Sequence, residues 1–147
     1  MNAFGQFATH WLRLVAIAIA LTFCAGHSGF ARGQEVKVQL TGAQEIPPVE
    51  TSASGIGILS VAADKSVSGS VTVSGMSVTV AHVHEAGAGT TGLIIIPLTK
   101  TSDTVWTVPA GAKLTDGQYE SFKAGNLYFN VHSVAHKTGE IRGQIRP

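Results

Sequence analysis

From Glu35 onward the chain alternates with a period of two. Val36, Val38 and Leu40 are interleaved with Lys37, Gln39 and Thr41. Successive side chains of a strand point to opposite faces, so such a run predicts a half-buried β-strand. Ile56 and Ile58 alternate with glycines and lead into Leu59-Ser60-Val61; Val67, Gly69, Val71 and Val73 alternate with serines and a threonine until Gly75. Further runs follow at Val78–His84, Thr104–Val108, Leu127–His132 and Glu140–Ile145. Leu93-Ile94-Ile95-Ile96 is continuously apolar, which predicts a strand buried on both sides. Glycine, proline, serine and aspartate punctuate the intervals. Several short strands at this spacing predict an all-β fold, an antiparallel sandwich or barrel.

One helix interrupts the pattern. Thr115-Asp116-Gly117-Gln118 has the form of a capping box, in which the threonine caps the backbone and Gln118 reaches back. Leu114 and Tyr119 are spaced as a hydrophobic staple across it, and Gly125 offers a left-handed stop. The helix is predicted over Asp116–Ala124, presenting Tyr119 and Phe122 to the sheet.

The first residues follow another rule. Arg13 precedes an apolar run, Leu14 to Leu21, that continues through Phe23 and Cys24. It is shorter than the ~20 residues needed to span a bilayer. A basic start, a short apolar stretch and small residues after it describe a secretory signal peptide, assigned to residues 1–31, with the cut near Ala31-Arg32. The mature domain is then residues 32–147, secreted or periplasmic, with no membrane span. Cys24, the only cysteine, leaves with the signal, so the domain holds no disulfide. Nine basic residues then face nine acidic ones. With no basic patch, nucleic acid is excluded as a partner. No G-x-S-x-G elbow, phosphate-cradling glycine loop or paired-carboxylate pattern points to hydrolysis or phosphoryl transfer.

The chemistry concentrates in histidines. In Val80-Ala81-His82-Val83-His84-Glu85, strand parity sends His82 and His84 to one face and Ala81 and Val83 to the core. In Tyr128-Phe129-Asn130-Val131-His132, Phe129 and Val131 turn inward while Asn130 and His132 turn outward. Three imidazoles can therefore meet on the outer face of a sheet, provided the two strands are neighbours. Imidazole suits copper, zinc, iron or nickel. Two histidines from one strand and a third from another leave coordination positions open, which suits redox copper or a catalytic metal better than a closed structural zinc site. His136, four residues after His132, is a candidate fourth ligand. Glu85 is a candidate to hold the second nitrogen of a ligating histidine. Glu140 and Arg142 share a strand face, which predicts an ion pair; Arg142 is also a candidate anion guide beside the metal.

Two resemblances add to this reading. Leu40-Thr41-Gly42-Ala43-Gln44-Glu45-Ile46-Pro47-Pro48-Val49, Ala81-His82-Val83-His84-Glu85, Ala124 to Ser133 and Gly139 to Ile145 resemble the CHRD domain, the module first described in chordin, over Glu35–Arg146. That resemblance implies an immunoglobulin-like antiparallel Greek-key β-sandwich with one short helix, in a secreted protein. It implies no settled activity. More loosely, His82-Val83-His84-Glu85 with the following glycine-rich loop, and Val131-His132, are similar to the copper strands of copper-zinc superoxide dismutase. By position, that likeness implies His82, His84 and His132 as copper ligands. No histidine lies between His84 and His132, so the bridging and zinc-loop histidines of that family have no counterpart. The expected function is metal binding, copper before zinc, in a buffer or carrier. A copper-only superoxide dismutase-like enzyme and an extracellular protein-interaction module with a protein partner are the alternatives.

Overall fold

The computed structural model describes residues 33–147. The expected signal peptide, its cleavage site and Cys24 lie outside the described residues. Nine strands form the framework: β1 (Gln34–Thr41), β2 (Ser54–Val61), β3 (Val67–Ser74), β4 (Val78–Glu85), β5 (Leu93–Pro97), β6 (Thr99–Lys100), β7 (Val105–Thr107), β8 (Leu127–Ser133) and β9 (Ile141–Ile145). They hydrogen-bond in the order β5-β4-β8-β9-β1-β2-β3-β7-β6, every pair antiparallel. The first and last strands meet in mid-sheet, and β4 pairs with its sequence neighbour β5 on one side and with the distant β8 on the other. The sheet folds back on itself around one core, giving the all-β, sandwich-like architecture that the two-residue period predicts.

The core draws on inward positions along the whole sheet: Val38 and Leu40, Leu59, Val71, Ala81 and Val83, Phe129 and Val131, Ile141 and Ile145. On β2 the apolar members of the alternation are not the inward ones. Ile56 and Ile58 face out, while Gly55 and Gly57 face in. A Cβ on Gly57 would fall 2.6 Å from ring atoms of Phe129. The glycine thus leaves room for an aromatic ring arriving from β8, and the isoleucines take the outer face.

The continuous apolar run also behaves differently from expectation. β5 pairs only with β4, so it ends the sheet, and Leu93 and Ile94 are 82% and 52% exposed. Only Ile96 is buried. A run of apolar residues reports local composition, whereas burial on both faces requires layers on both sides, and an edge strand here lacks them.

The helix α1 (Asp116–Lys123) forms where the capping box places it, with Ala124 as its C-cap. Thr115 Oγ1 accepts from the Gln118 N–H at 3.2 Å, and the Thr115 N–H donates to Gln118 Oε1 at 2.9 Å. Gly125 ends it at φ 74°. Phe122 is buried in the core and Tyr119 packs partly against it. The helix holds the entry to β8, the strand that carries most of the polar groups described next.

Candidate metal centre

The register of β4 against β8 builds the site. Val80 pairs with His132, His82 with Asn130 and His84 with Tyr128. His82, His84 and His132 thus share the outer face of two adjacent strands. One ring nitrogen from each lies within 4.8 Å of those of the other two. The ring centroids are 5.1 Å (His82–His132), 5.5 Å (His82–His84) and 6.4 Å (His84–His132) apart. A bulge between Val83 and His84 against β5 interrupts the ladder beside the pair, a feature that commonly re-aims side chains at sites.

Over β8 and around His84 the outer face is not open to water. All seven residues of β8 are buried, and His84 and His132 are each only 8% exposed. Three connecting segments cover the face. The 86–92 loop supplies the Gly92 carbonyl, which accepts from His84 Nδ1 at 3.0 Å. The 134–139 turn supplies the Lys137 carbonyl, which accepts from His132 Nδ1 at 3.0 Å. The segment after β1 lays Glu45 over Asn130, whose Nδ2 donates to Glu45 Oε1. Gly139 closes over that pair; a Cβ there would fall 2.7 Å from both groups.

These bonds assign the tautomers. A carbonyl accepts only, so Nδ1 of His84 and of His132 carries the proton and Nε2 carries the lone pair. His84 Nε2 is buried and has no hydrogen-bond partner. Leaving a buried acceptor unpaired costs roughly 1–3 kcal/mol, so such an atom calls for an explanation. His132 Nε2 faces His82 Nδ1 at 3.2 Å. The nitrogens turned into the cluster are therefore Nδ1 of His82 and Nε2 of His84 and His132. Burial pushes all three imidazoles below their ordinary value, His82 to about 4, with the neighbouring rings adding to the effect on His82 and His84. At neutral pH the three are uncharged, the form that ligates metals.

Behind the cluster stands a stack. The Tyr128 ring lies on His84 with centroids 4.8 Å apart and 14° between planes. The Arg142 guanidinium lies 3.6 Å from the Tyr128 ring centre. Because β8 runs between β4 and β9, Tyr128 separates Arg142 from His84. Tyr128 Oη also accepts from the Gly92 N–H at 3.1 Å, so it holds both the ring of His84 and the residue that orients it.

The remaining sequence candidates fall elsewhere. His136 is not brought into the group; its backbone closes the turn, donating to Ser133 Oγ and accepting from Gly139 N–H. Glu85 does not reach an imidazole: its Oε1 accepts from Ser121 Oγ at 2.6 Å and so ties β4 to α1. Backbone carbonyls orient the histidines instead, because loops folding over the face arrive main chain first. Arg142 lies behind Tyr128 rather than beside the cluster, and its Nη2 donates to Gly87 O and Gln144 Oε1. The Glu140–Arg142 pair does not form, since Glu140 accepts from Thr51 Oγ1 at 2.7 Å. Tyr128 and Glu45 were not singled out from the sequence. Parity already puts Tyr128 on the face of Asn130 and His132; nothing local marks Glu45.

An antiparallel all-β protein whose outer sheet face carries three neutral, converging imidazoles is the class that fold and site define. The CHRD domain family model matches residues 36–145, and the chain belongs to that family. No curated protein and no solved structure matches it. Among the described residues, no helix is long and apolar enough to cross a membrane.

Proposed function

We propose that the chain is exported behind a signal peptide of residues 1–31 and binds one metal ion, copper before zinc, through His82 Nδ1, His84 Nε2 and His132 Nε2. The unpartnered, buried His84 Nε2, turned toward two further ring nitrogens, carries this reading. In the metal-free molecule the proton between His82 Nδ1 and His132 Nε2 holds the rings together, and a metal replaces it while His82 takes its other tautomer. Neutral nitrogen ligands without thiolate or carboxylate favour copper over zinc by the usual order of divalent affinities. Family membership supports an extracellular-type module, where a carrier or buffer of copper would meet its cargo.

The test is titration of the purified protein with Cu(II), Cu(I) and Zn(II), beside a His82→Ala/His84→Ala variant. We expect one equivalent of copper, bound more tightly than zinc and lost in the variant. Weak binding, equal in the two proteins, would leave an interaction module as the better account. Of the three clustered imidazoles His82 alone is partly open to solvent, and this favours a second reading, a copper-only superoxide dismutase-like enzyme. Dismutation by the copper-loaded protein, above that of the same copper free in solution and lost in His132→Ala, would support it; copper binding without dismutation leaves the carrier.

A further inference from the structure

The described residues contain two arginines, Arg142 and Arg146, and neither is paired with a carboxylate. All four ion pairs among the described residues use lysines: Lys65–Asp116, Lys100–Asp103, Lys113–Asp64 and Lys123–Glu120. Both arginines line one cleft of about 320 Å³, together with the segment Ala43–Ile46, the turn at Ala88–Gly89 and Gln144. Arg142 is 2% exposed. An arginine is always charged, and a buried charge without a counter-charge is costly, so its surroundings must supply what a carboxylate would. Part comes from the Tyr128 ring and part from Gly87 O and Gln144 Oε1. Both of those hydrogen bonds use Nη2, whereas a guanidinium offers five N–H donors.

The acid nearest this cleft does not balance it. Glu45 lines the same space, but its carboxylate accepts from Asn130. Burial pushes it up to about 7, against the pull of Asn130 and of the Arg142 charge. Near neutral pH it carries a fraction of one charge opposite two full ones. Two further acids of the sheet, Glu85 and Glu140, are engaged by Ser121 and Thr51.

We propose that this cleft is a binding site for a small oxyanion, a carboxylate or phosphate group, held by Arg142 from the floor and Arg146 from the rim. Guanidinium forks match both groups in geometry, and a partly buried fork binds them more strongly than surface lysines do. The site is distinct from the imidazole cluster, because the Tyr128 ring stands between Arg142 and His84. It does not depend on the metal reading, and the anion it holds is not a metal ligand.

The experiment is a titration of the metal-free, isotope-labelled protein with inorganic phosphate and, separately, acetate, at constant ionic strength, followed through backbone amide shifts. Saturable shifts confined to residues 87–89, Gln144 and the 43–46 segment are expected. They should weaken at least about tenfold in Arg146→Glu. Arg146 is exposed, so this variant keeps its fold. Lys100→Glu, the same charge change at the far end of the sheet, should leave the affinity within about twofold. Shifts that do not saturate, or an equal fall in both variants, would overturn the proposal by reducing it to diffuse charge attraction. The stronger of the two anions separates a phosphorylated ligand from a carboxylate one, and either result supports the site. Copper titration of Arg146→Glu is expected to match the unmodified protein, which keeps failure here distinct from failure of the metal reading.

Discussion

The outer face of the sheet is two different surfaces. Over β1 and β2 it alternates as an isolated sheet face should, with Lys37, Gln39, Ile56 and Ile58 facing out and every second residue buried. Over β8 every residue is buried. The inner faces of the two regions are alike, lined by Leu40 and Leu59 in one and by Val83, Phe129 and Val131 in the other. What differs is the length and path of the connections. The 42–49, 86–92 and 134–139 segments fold back over β4, β8 and β9 and exclude water from groups that would otherwise be solvated. The same removal of water makes the histidines harder to charge and Glu45 harder to ionise. A site is thus made from an ordinary sheet face by covering it, with no change in the framework beneath.

The largest expected effect lies in the covered half. His84→Ala combined with His132→Ala removes two of the three converging nitrogens and should weaken copper binding by more than about 100-fold; competition against a chelator of known affinity measures it. An unchanged affinity would place the copper elsewhere. Next comes the inner face: Phe129→Ala empties the space that Gly57 leaves for the ring and should cost about 3–5 kcal/mol in denaturant unfolding. Below the unfolding transition its copper stoichiometry should persist, since none of the three imidazoles is touched.

Tyr128→Leu sharpens the contrast between support and packing. It keeps apolar bulk but loses the stack on His84 and the bond to the Gly92 N–H. Copper affinity should fall about 10- to 100-fold, with a smaller loss of stability than Phe129→Ala. Equal losses of stability in the two would make Tyr128 a packing residue only.

The pH dependence of stability should carry both signs. Glu45 sits above its ordinary value, so the native state holds an extra proton between about 4.5 and 7, and its contribution is lost as pH rises through 7. His82 sits below its ordinary value; its contribution is present above about 6.5 and is lost as pH falls toward 4. Glu45→Gln should therefore raise the melting temperature at pH 8 and leave it unchanged at pH 4.5. The gain is on the order of 1 kcal/mol once solvent screening is allowed for. A gain of equal size at both pH values would trace the effect to packing. Smallest of all, Ile58→Thr on the uncovered half should alter stability by no more than about 0.5 kcal/mol.

Much of the framework could be read from the chain because side-chain alternation is a local property. The positions of β3, β4, β8 and α1 follow from two-residue periods and one capping box, and the shared face of His82 and His84 follows from parity alone. Where the sequence misled, the missing quantity was position in the sheet. Leu93–Ile96 is apolar throughout whether a strand is central or at an edge. Ile56 and Ile58 alternate with glycines equally well in either parity, and the choice was made by Phe129, more than 70 residues away.

Local pattern, then, settled which residues lie on strands, where the helix begins, and that the three histidines each face outward. Tertiary structure alone decided that β4 lies against β8, so that the imidazoles converge, and that three loops cover the face around His84 and His132. It also decided that His136 and Glu85 turn to other partners, and that Glu45 and Tyr128 join the site. The physical reason is range: backbone geometry fixes side-chain direction over two to four residues, whereas desolvation and ring stacking depend on segments brought together across 36 to 85 residues of chain.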